Sequence, residues 1–222
     1  IILPPKILYK DEIKEYTIYY QSNGKIANPA NYNMGGVKVL GLGFFDESDY
    51  NPALVQTHSW PEGARHWFPS NDHPADKATS KIVTTVRSDW KVLSNGALID
   101  VKPTDSGDSL TYTWQLDLPN STYLYVMVAG PFEVIQDYYK DIPMSYWVYP
   151  KDKKNAHLSF HRTPEIMEFF ERNMVFLTHG QKWIKLPYQE LMVEQKVRLL
   201  QYSEKQQYMM KKRRKIFRVI GL

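Results

Sequence analysis

Short apolar-rich runs separated by turn residues fill the first 160 residues of the chain, and this pattern predicts an all-β fold. Lys81–Val86 alternates polar and apolar residues with the two-residue period of a half-buried strand. Leu110–Leu116 is rich in β-branched and aromatic residues, which favour strands. Turn signals recur every 8–14 residues, a spacing that is typical of an antiparallel sandwich or saddle.

Further strands are expected where similar runs lie between turn residues. These runs are Glu15–Tyr20, Lys91–Ser94, Ala97–Val101, Tyr123–Ala129, Phe132–Gln136, Met144–Tyr149 and His157–Phe160. The dipeptide Asn95-Gly96 separates two of them and is the strongest short signal for a β-hairpin. A hairpin is therefore predicted around Asn95-Gly96.

The pattern changes at Thr163, where a helical segment is predicted over residues 163–176. Thr163 can cap a helix, and Pro164 suits the first turn because its missing N–H is not needed there. One apolar face at i, i+3, i+4 spacing is formed by Ile166, Phe169 and Phe170. We expect this face to pack against the sheets.

The composition excludes several classes of protein. The chain has 222 residues, of which 43% are hydrophobic and 23% are charged, enough for one large domain or two small ones with a sizeable core. It has no cysteine, so disulfides, thiolate zinc sites and cysteine nucleophiles are excluded. It contains no run of 18 apolar residues, so no membrane span is predicted.

The net charge of +4 would favour an acidic partner if it were spread evenly. Residues 177–222 carry 11 Lys and Arg against 3 Asp and Glu, whereas residues 1–176 carry 17 against 21. The positive charge therefore belongs to the tail, including the basic run Lys211–Lys215. Such a run is usually a solvated face, so no nucleic-acid partner is expected. A nucleic-acid binder with a basic tail remains the weaker alternative.

An aromatic and proline-rich segment, Gln56–Ala78, carries the most information about identity. Arg65 is the only arginine in residues 1–86, and an arginine among aromatic residues usually pairs with a buried carboxylate or carbonyl. Asp72 is its expected partner. Pro69 and Pro74 restrict the backbone of this loop.

The order Arg-x-x-Phe-Pro-x-x-Asp-x-Pro, followed by a strand and then Ser94-Asn95-Gly96, resembles the N-terminal domain of the M1 zinc aminopeptidases (aminopeptidase N type). The motif residues are Arg65, Phe68, Pro69, Asp72 and Pro74. The resemblance covers roughly residues 10–175 and implies a β-saddle domain over residues 1–162. Strands that precede Glu15 in the family are missing here, so unpaired sheet edges are expected.

The resemblance also implies where substrate would be contacted. In the family, a Gln or Glu from the strand that enters the motif lines the substrate pocket, where its oxygen accepts from the peptide ammonium. The usual Thr-Gln-x-Gln is replaced here by Gln56-Thr57-His58-Ser59-Trp60. Gln56 is the closest chemical match. Gln56 and Trp60 are the candidate substrate-binding residues, and purely structural roles for both stay open.

The family's chemistry requires Gly-x-Met-Glu-Asn for the substrate amine and His-Glu-x-x-His with a distant Glu for zinc. Neither motif occurs in this chain, so no catalytic residue and no metal ligand is predicted. A metal at His157 and His161, or among His58, His66 and His73, is disfavoured because no ligand set is complete. The chain alone is expected to be inactive. Zinc and peptide substrate would belong to the catalytic domain of a full-length protein.

After Met174 the resemblance stops, although the family's next motif would be expected there. The codons permitted for Leu177–Ile184, read one base out of frame, allow Tyr-Pro-Trp-Ala-Lys-(Met or Val)-Asp-Gln, which resembles the start of the catalytic domain. The hypothesis is a one-base frameshift near Met174, with residues 177–222 as an out-of-frame tail, helical or disordered. A non-catalytic β scaffold or interaction module is the alternative.

Overall fold

The computed structural model describes residues 15–21, 41–49, 51–173, 183–185 and 216–220, the last two ranges as backbone only. This part of the chain contains eleven strands in three sheets and two α-helices. The strands within the body pair antiparallel, and the helices follow the last long strand. The predicted all-β fold with a C-terminal helical segment is confirmed.

The first sheet contains the strand that leads into the aromatic loop. In spatial order its strands are β1 (Gly41–Phe45), β2 (Leu54–His58), β7 (Met127–Gly130) and β4 (Lys91–Ser94). All three pairings in this sheet are antiparallel. The strand β2 lies inside the sheet, so its backbone is held on both sides.

The second and third sheets cover the remaining strands. The second has the order β11 (Ile216–Ile220), β3 (Ala78–Arg87), β6 (Ser109–Asn120) and β5 (Ala97–Pro103). The third has the order β10 (Trp183–Lys185), β9 (Ile142–Val148) and β8 (Glu133–Tyr139). The pairings of β11 with β3 and of β10 with β9 are parallel.

Two α-helices and three short 3-10 helices complete the described chain. The α-helices are α1 (Ala156–Phe160) and α2 (Thr163–Asn173). The 3-10 helices are Ala64–His66, Thr122–Leu124 and Pro150–Asn155. Neither α-helix in this part of the chain has the length and apolar character that spanning a bilayer would require.

The main core lies between the three sheets. It includes Leu54 from β2, Val92 from β4, Trp114 from β6 and Trp147 from β9. The buried polar atom of Trp114 is satisfied, because its Nε1 donates to the carbonyl of Val92 at 3.0 Å. Alternate residues of β6 are buried here, because one face of the strand lies against this core.

The predicted hairpin at Asn95-Gly96 is wrong, because β4 and β5 belong to different sheets. Asn95 is buried, and its side chain accepts from the N–H of Val126 at 2.7 Å and donates to the carbonyl of Leu124 at 2.9 Å. Gly96 has a φ of +84° and lies against the backbone of Gln115. The dipeptide therefore carries the chain from one sheet to another, which a local turn signal cannot distinguish from a hairpin.

Two predicted strands are also corrected. His157–Phe160 belongs to α1, because Pro150 begins a 3-10 helix that runs directly into it. The ring of Phe160 stacks on Tyr146 with the centroids 4.7 Å apart, and this contact holds the short helix against β9. Glu15–Tyr20 is exposed and has no regular secondary structure. A β-type composition alone does not supply a pairing partner.

The helix predicted at Thr163 is present as α2, but its predicted apolar face is wrong. The buried residues are Thr163 and Met167, whereas Ile166 and Phe169 are 45% and 60% exposed. Lys140, in the turn that follows β8, pairs with Glu171 of α2 at 2.6 Å, so the helix contacts this part of the sheet through a partly polar side. The predicted helix residues 174–176 lie outside the described residues.

Candidate functional site

The strand β2 enters a tightly turned loop that holds the sequence motif. The N–H of Gly63 donates to the carbonyl of Ser59 at 2.7 Å, and the N–H of Phe68 donates to that of Ala64 at 3.0 Å. A Cβ on Gly63 would lie 2.2 Å from the carbonyl oxygen of His58. Only glycine allows this close return of the backbone onto the end of β2. The loop is therefore set rigidly on the sheet.

The ion pair between Arg65 and Asp72 that the sequence predicts is present. Both the backbone N–H and the Nε of Arg65 donate to Oδ2 of Asp72 at 3.1 Å. The other carboxylate oxygen accepts from the hydroxyl of Thr122 at 2.9 Å. The side chain of Asp72 is 1% exposed, and that of Arg65 is 49% exposed. A buried carboxylate with three donors thus joins the two ends of the loop to the Thr122 turn.

The remaining motif residues fasten the same loop. Phe68 is buried, and its ring lies 4.6 Å from that of Trp67 and 5.8 Å from that of Tyr125. The carbonyl of Pro74 accepts from the hydroxyl of Ser121 at 2.7 Å. Pro69 is exposed at the surface of the loop. These contacts give the motif a positioning role and place none of its side chains in reactive geometry.

Buried hydrogen bonds that the sequence did not predict link Ser59, directly after β2, to Tyr125, shortly before β7, and Tyr125 to the start of β3. Trp67 Nε1 donates to the hydroxyl of Ser59 at 2.9 Å, and this hydroxyl donates to the carbonyl of Tyr125 at 2.9 Å. The Tyr125 hydroxyl donates to the carbonyl of Ala78 at 2.5 Å. Burial raises the pKa of Tyr125, so the phenol stays protonated. Ser59 and Tyr125 are 66 residues apart, and no local pattern could have paired them.

The two candidate substrate residues have different surroundings. Gln56 is buried on the same face of β2 as His58, because side chains two positions apart share a face. The strand β1 places Gly43 opposite Gln56 and Gly41 opposite His58. Trp60 lies beyond the end of β2 and is 39% exposed. The structure therefore groups Gln56 with His58 and places Trp60 in the turn.

His58 shares this face with Gln56, but from the sequence it was considered only as a metal ligand. It is buried, and its Nε2 has no hydrogen-bond partner among the described residues. Burial lowers the pKa of His58, and a backbone hydrogen bond at Trp60 partly opposes the shift. The imidazole is therefore neutral at pH 7. The spacing of two residues between Gln56 and His58 on a strand was the sequence signal that could have grouped them.

The stability of the chain is expected to fall as the pH drops below about 6.5, the ordinary pKa of histidine. The unfolded state then binds a proton at His58 that the folded state resists, so acid favours unfolding. The stability present at pH 7.5 is progressively lost from pH 6.5 down to the lowered folded-state pKa. Urea unfolding at pH 7.5 and 5.5 measures this, and His58→Gln should reduce the acid-induced loss.

The control for this pH effect is His157→Gln, which changes an exposed histidine in the same way. It should leave the acid-induced loss of stability as large as in the unchanged chain. If His58→Gln and His157→Gln shift the pH profile equally, the burial of His58 is not its cause.

Within residues 15–21, 41–49 and 51–173, no group of three or more His, Asp or Glu side chains lies close enough to hold a metal ion. His157 and His161 are exposed, and the Nδ1 of each lies within 3.1 Å of a backbone carbonyl. A zinc site needs at least three protein ligands. The described residues do not fit zinc, and no zinc step is assigned to them.

Three mainly antiparallel sheets, with a loop fastened by the Arg65–Asp72 pair, make this an all-β domain. The model of the peptidase M1 N-terminal domain family matches residues 14–124, half of the chain. The chain therefore belongs to the peptidase M1 family, as an N-terminal domain.

Individual relatives agree with this family. The chain is 29% identical over 138 residues to probable aminopeptidase 2 of Sulfurisphaera tokodaii, covering 62% of this chain and 17% of that protein. It is 30% identical over 126 residues to glutamyl aminopeptidase of Bos taurus, covering 56% of this chain and 13% of that protein. The chain thus matches less than a fifth of the length of either relative.

A solved structure supports the same relationship. The crystal structure of Legionella pneumophila aminopeptidase A in complex with aspartic acid matches with a TM-score of 0.58 and 25% identity. The match covers 66% of this chain and 17% of that one. The similarity again concerns one domain of a much longer protein.

Proposed function

We propose that this chain is the N-terminal β domain of a zinc aminopeptidase that removes N-terminal residues from peptides, and that it is inactive alone. The family match over residues 14–124 carries this proposal. The names of the relatives support aminopeptidase activity for the whole protein. The His-Glu-x-x-His motif does not occur in this sequence. The zinc that activates water would therefore be held by a separate catalytic domain.

Within this proposal, β2 is the strand that faces substrate. The amide oxygen of Gln56 would accept from the ammonium of a peptide N-terminus, because a charged donor forms a strong bond with a neutral acceptor. Trp60 would contribute an apolar contact from the turn. The rigid fastening of the loop through Arg65 and Asp72 supports this role, since a substrate contact must be held in place.

The division of the chain stays a proposal as well. Residues 1–162 would form the β domain, residues 163–176 the connecting helix and residues 177–222 a tail that arose from a shifted frame. The change in charge balance after residue 176 supports a different origin for the tail.

Purified chain is expected to hydrolyse no aminoacyl fluorogenic substrate, with or without added zinc. Chelator should also leave its thermal unfolding midpoint unchanged, because the described side chains offer no metal site. Fluorescence release and thermal unfolding with EDTA or zinc measure these two properties. Activity that is abolished by chelator and restored by zinc would overturn the proposed inactivity.

A further inference from the structure

The outer edge of β3 is occupied by a segment from the far end of the chain. On its inner side, β3 pairs antiparallel with β6 from Ala78 to Arg87. On its outer side, residues Thr79–Val83 pair with β11. Without β11, β3 would be the edge of this sheet. An edge strand presents unpaired N–H and C=O groups that act as a template for another strand.

The orientation of this added strand distinguishes it from the body of the fold. The strand β11 runs parallel to β3, and the same is true of β10, which pairs with β9 at Met144–Tyr146. Both added strands follow α2 in the chain. Parallel neighbours cannot be joined by a tight turn. Each segment therefore reaches its edge from a distance, as an added strand rather than as part of a hairpin.

The edge of β3 is preformed. Ala78 and Ile82 are buried, and Ile82 packs in a core cluster with Phe68 and Leu116. This anchoring fixes the backbone of β3 independently of what pairs on its outer side. An acceptor that is already ordered loses less conformational entropy when it binds an extended segment.

The opposite edge of the same sheet, β5, has features that discourage pairing. Its register shifts between Leu98 and Asp100, Lys102 pairs with Asp100 at 2.7 Å, and the strand ends at Pro103. Bulges, charges and proline are common protections of edge strands. Residues 79–83 of β3 contain no proline and one charged residue, Lys81, and their pairing with β11 continues without a register shift. The pairing of β3 with β6 on the other side has its register shift at the start of the strand, between Ala78 and Ser80.

The segment that pairs with β3 has a composition suited to this role. Ile216–Ile220 consists of four residues with high β propensity and one arginine. When a strand is added to a sheet edge, main-chain hydrogen bonds supply much of the affinity, and they depend little on the identity of the side chains. An extended segment of suitable composition can therefore fill the edge even if it was not selected for that purpose.

We propose that the outer edge of β3 at Thr79–Val83 is a strand-acceptor surface for an extended apolar segment running parallel to it. Ile216–Ile220 of the same chain is its occupant. This proposal does not depend on the proposed aminopeptidase function, so either one can fail without the other.

A cysteine pair tests the register in the full chain, which has no native cysteine. Lys81 lies opposite Arg218, so Lys81→Cys with Arg218→Cys should form an intramolecular disulfide under mild oxidation. The matched control is Arg87→Cys with Arg218→Cys, which removes the same charge. Arg87 is six positions further along β3, about 20 Å away, beyond the reach of a disulfide.

Non-reducing electrophoresis and intact mass report the result. A disulfide within one chain for the Lys81 pair, with little for the Arg87 pair, is the expected outcome. A disulfide between two copies would overturn the assignment of the occupant to the same chain. Equal yields from the two pairs, or no disulfide from either, would overturn the proposed register.

A second experiment tests the acceptor itself. Phe217→Pro with Arg218→Pro removes two successive N–H groups, one of which must face β3, and so releases the edge. A labelled peptide of residues 214–222 should bind this variant at least about 10-fold more tightly than the unchanged chain, where the tethered segment competes. Lys211→Pro with Lys212→Pro is the control and should behave like the unchanged chain. Equal peptide affinity for all three proteins would overturn the acceptor surface.

Discussion

Gly96→Ala is expected to lower the free energy of unfolding by about 4 kcal/mol, the largest effect of any single substitution proposed for this chain. A Cβ at this position would lie 1.9 Å from the carbonyl oxygen of Gln115 and 2.7 Å from the backbone nitrogen of Leu116. Both obstacles are backbone atoms of β6 and cannot rotate away. The residue also has a φ of +84°, which alanine adopts at a cost.

Gly107→Ala is the matched control for this prediction. Gly107 also has a positive φ, +74°, but nothing lies within 4 Å of a Cβ built there. Its replacement should cost only about 1–2 kcal/mol, from the backbone strain alone. Urea unfolding with unchanged m-values measures both variants. Similar losses at the two positions would mean that the approach of Gly96 to β6 is not what constrains this crossing between sheets.

Asp72→Ala is expected to cost about 3 kcal/mol of unfolding free energy. The substitution removes a buried carboxylate that accepts from Arg65 and Thr122. The Thr122 hydroxyl is buried and loses its acceptor, whereas the half-exposed Arg65 can turn to water. Asp72 also has a φ of +46°, a conformation that aspartate tolerates better than alanine. Urea unfolding measures the loss.

The control for this prediction is Asp100→Ala at the protected edge of the second sheet. Asp100 pairs with Lys102 at 2.7 Å, but both side chains are substantially exposed. A surface pair of this kind contributes about 0.5 kcal/mol. A loss at Asp72 as small as the loss at Asp100 would contradict the structural role of the motif carboxylate.

The parts of the fold that the sequence predicted depend on local patterns. The period of two along Lys81–Val86 and the β-branched and aromatic composition of Leu110–Leu116 correctly indicated β3 and β6. The start of α2 at Thr163 was also correct, since a proline in the first turn is a local signal. The pairing of Arg65 with Asp72 was also predicted correctly, because the segment Gln56–Ala78 contains only three carboxylates, Glu62, Asp72 and Asp76.

The errors concern partners that are distant in sequence. The Asn95-Gly96 dipeptide is typical of a hairpin turn. In the structure, however, the side chain of Asn95 forms hydrogen bonds with the backbone of Leu124 and Val126, about 30 residues away. The apolar residues of α2 suggested a buried face, but Ile166 and Phe169 are exposed. Helical spacing identifies which residues share a face. It does not determine which face meets the sheet.

The candidate site shows the same limit. The sequence identified Gln56 and Trp60 by chemical analogy, whereas the grouping of Gln56 with His58 required the strand bounds of β2. The relay from Trp67 through Ser59 to Tyr125 required the pairing of β2 with β7. The substrate roles of Gln56 and Trp60 stay predictions, because substrate contact requires the catalytic part of the protein.

The sequence by itself determined the all-β class, the helix start and the family motif, because periodicity, capping and motif order are properties of neighbouring residues. The location of the positive charge in residues 177–222 was also a property of the sequence. Only the tertiary structure decided which strands share a sheet, which side of α2 is buried and which segment covers the edge of β3. These outcomes depend on main-chain hydrogen bonds and packing between distant segments, and no local pattern encodes them.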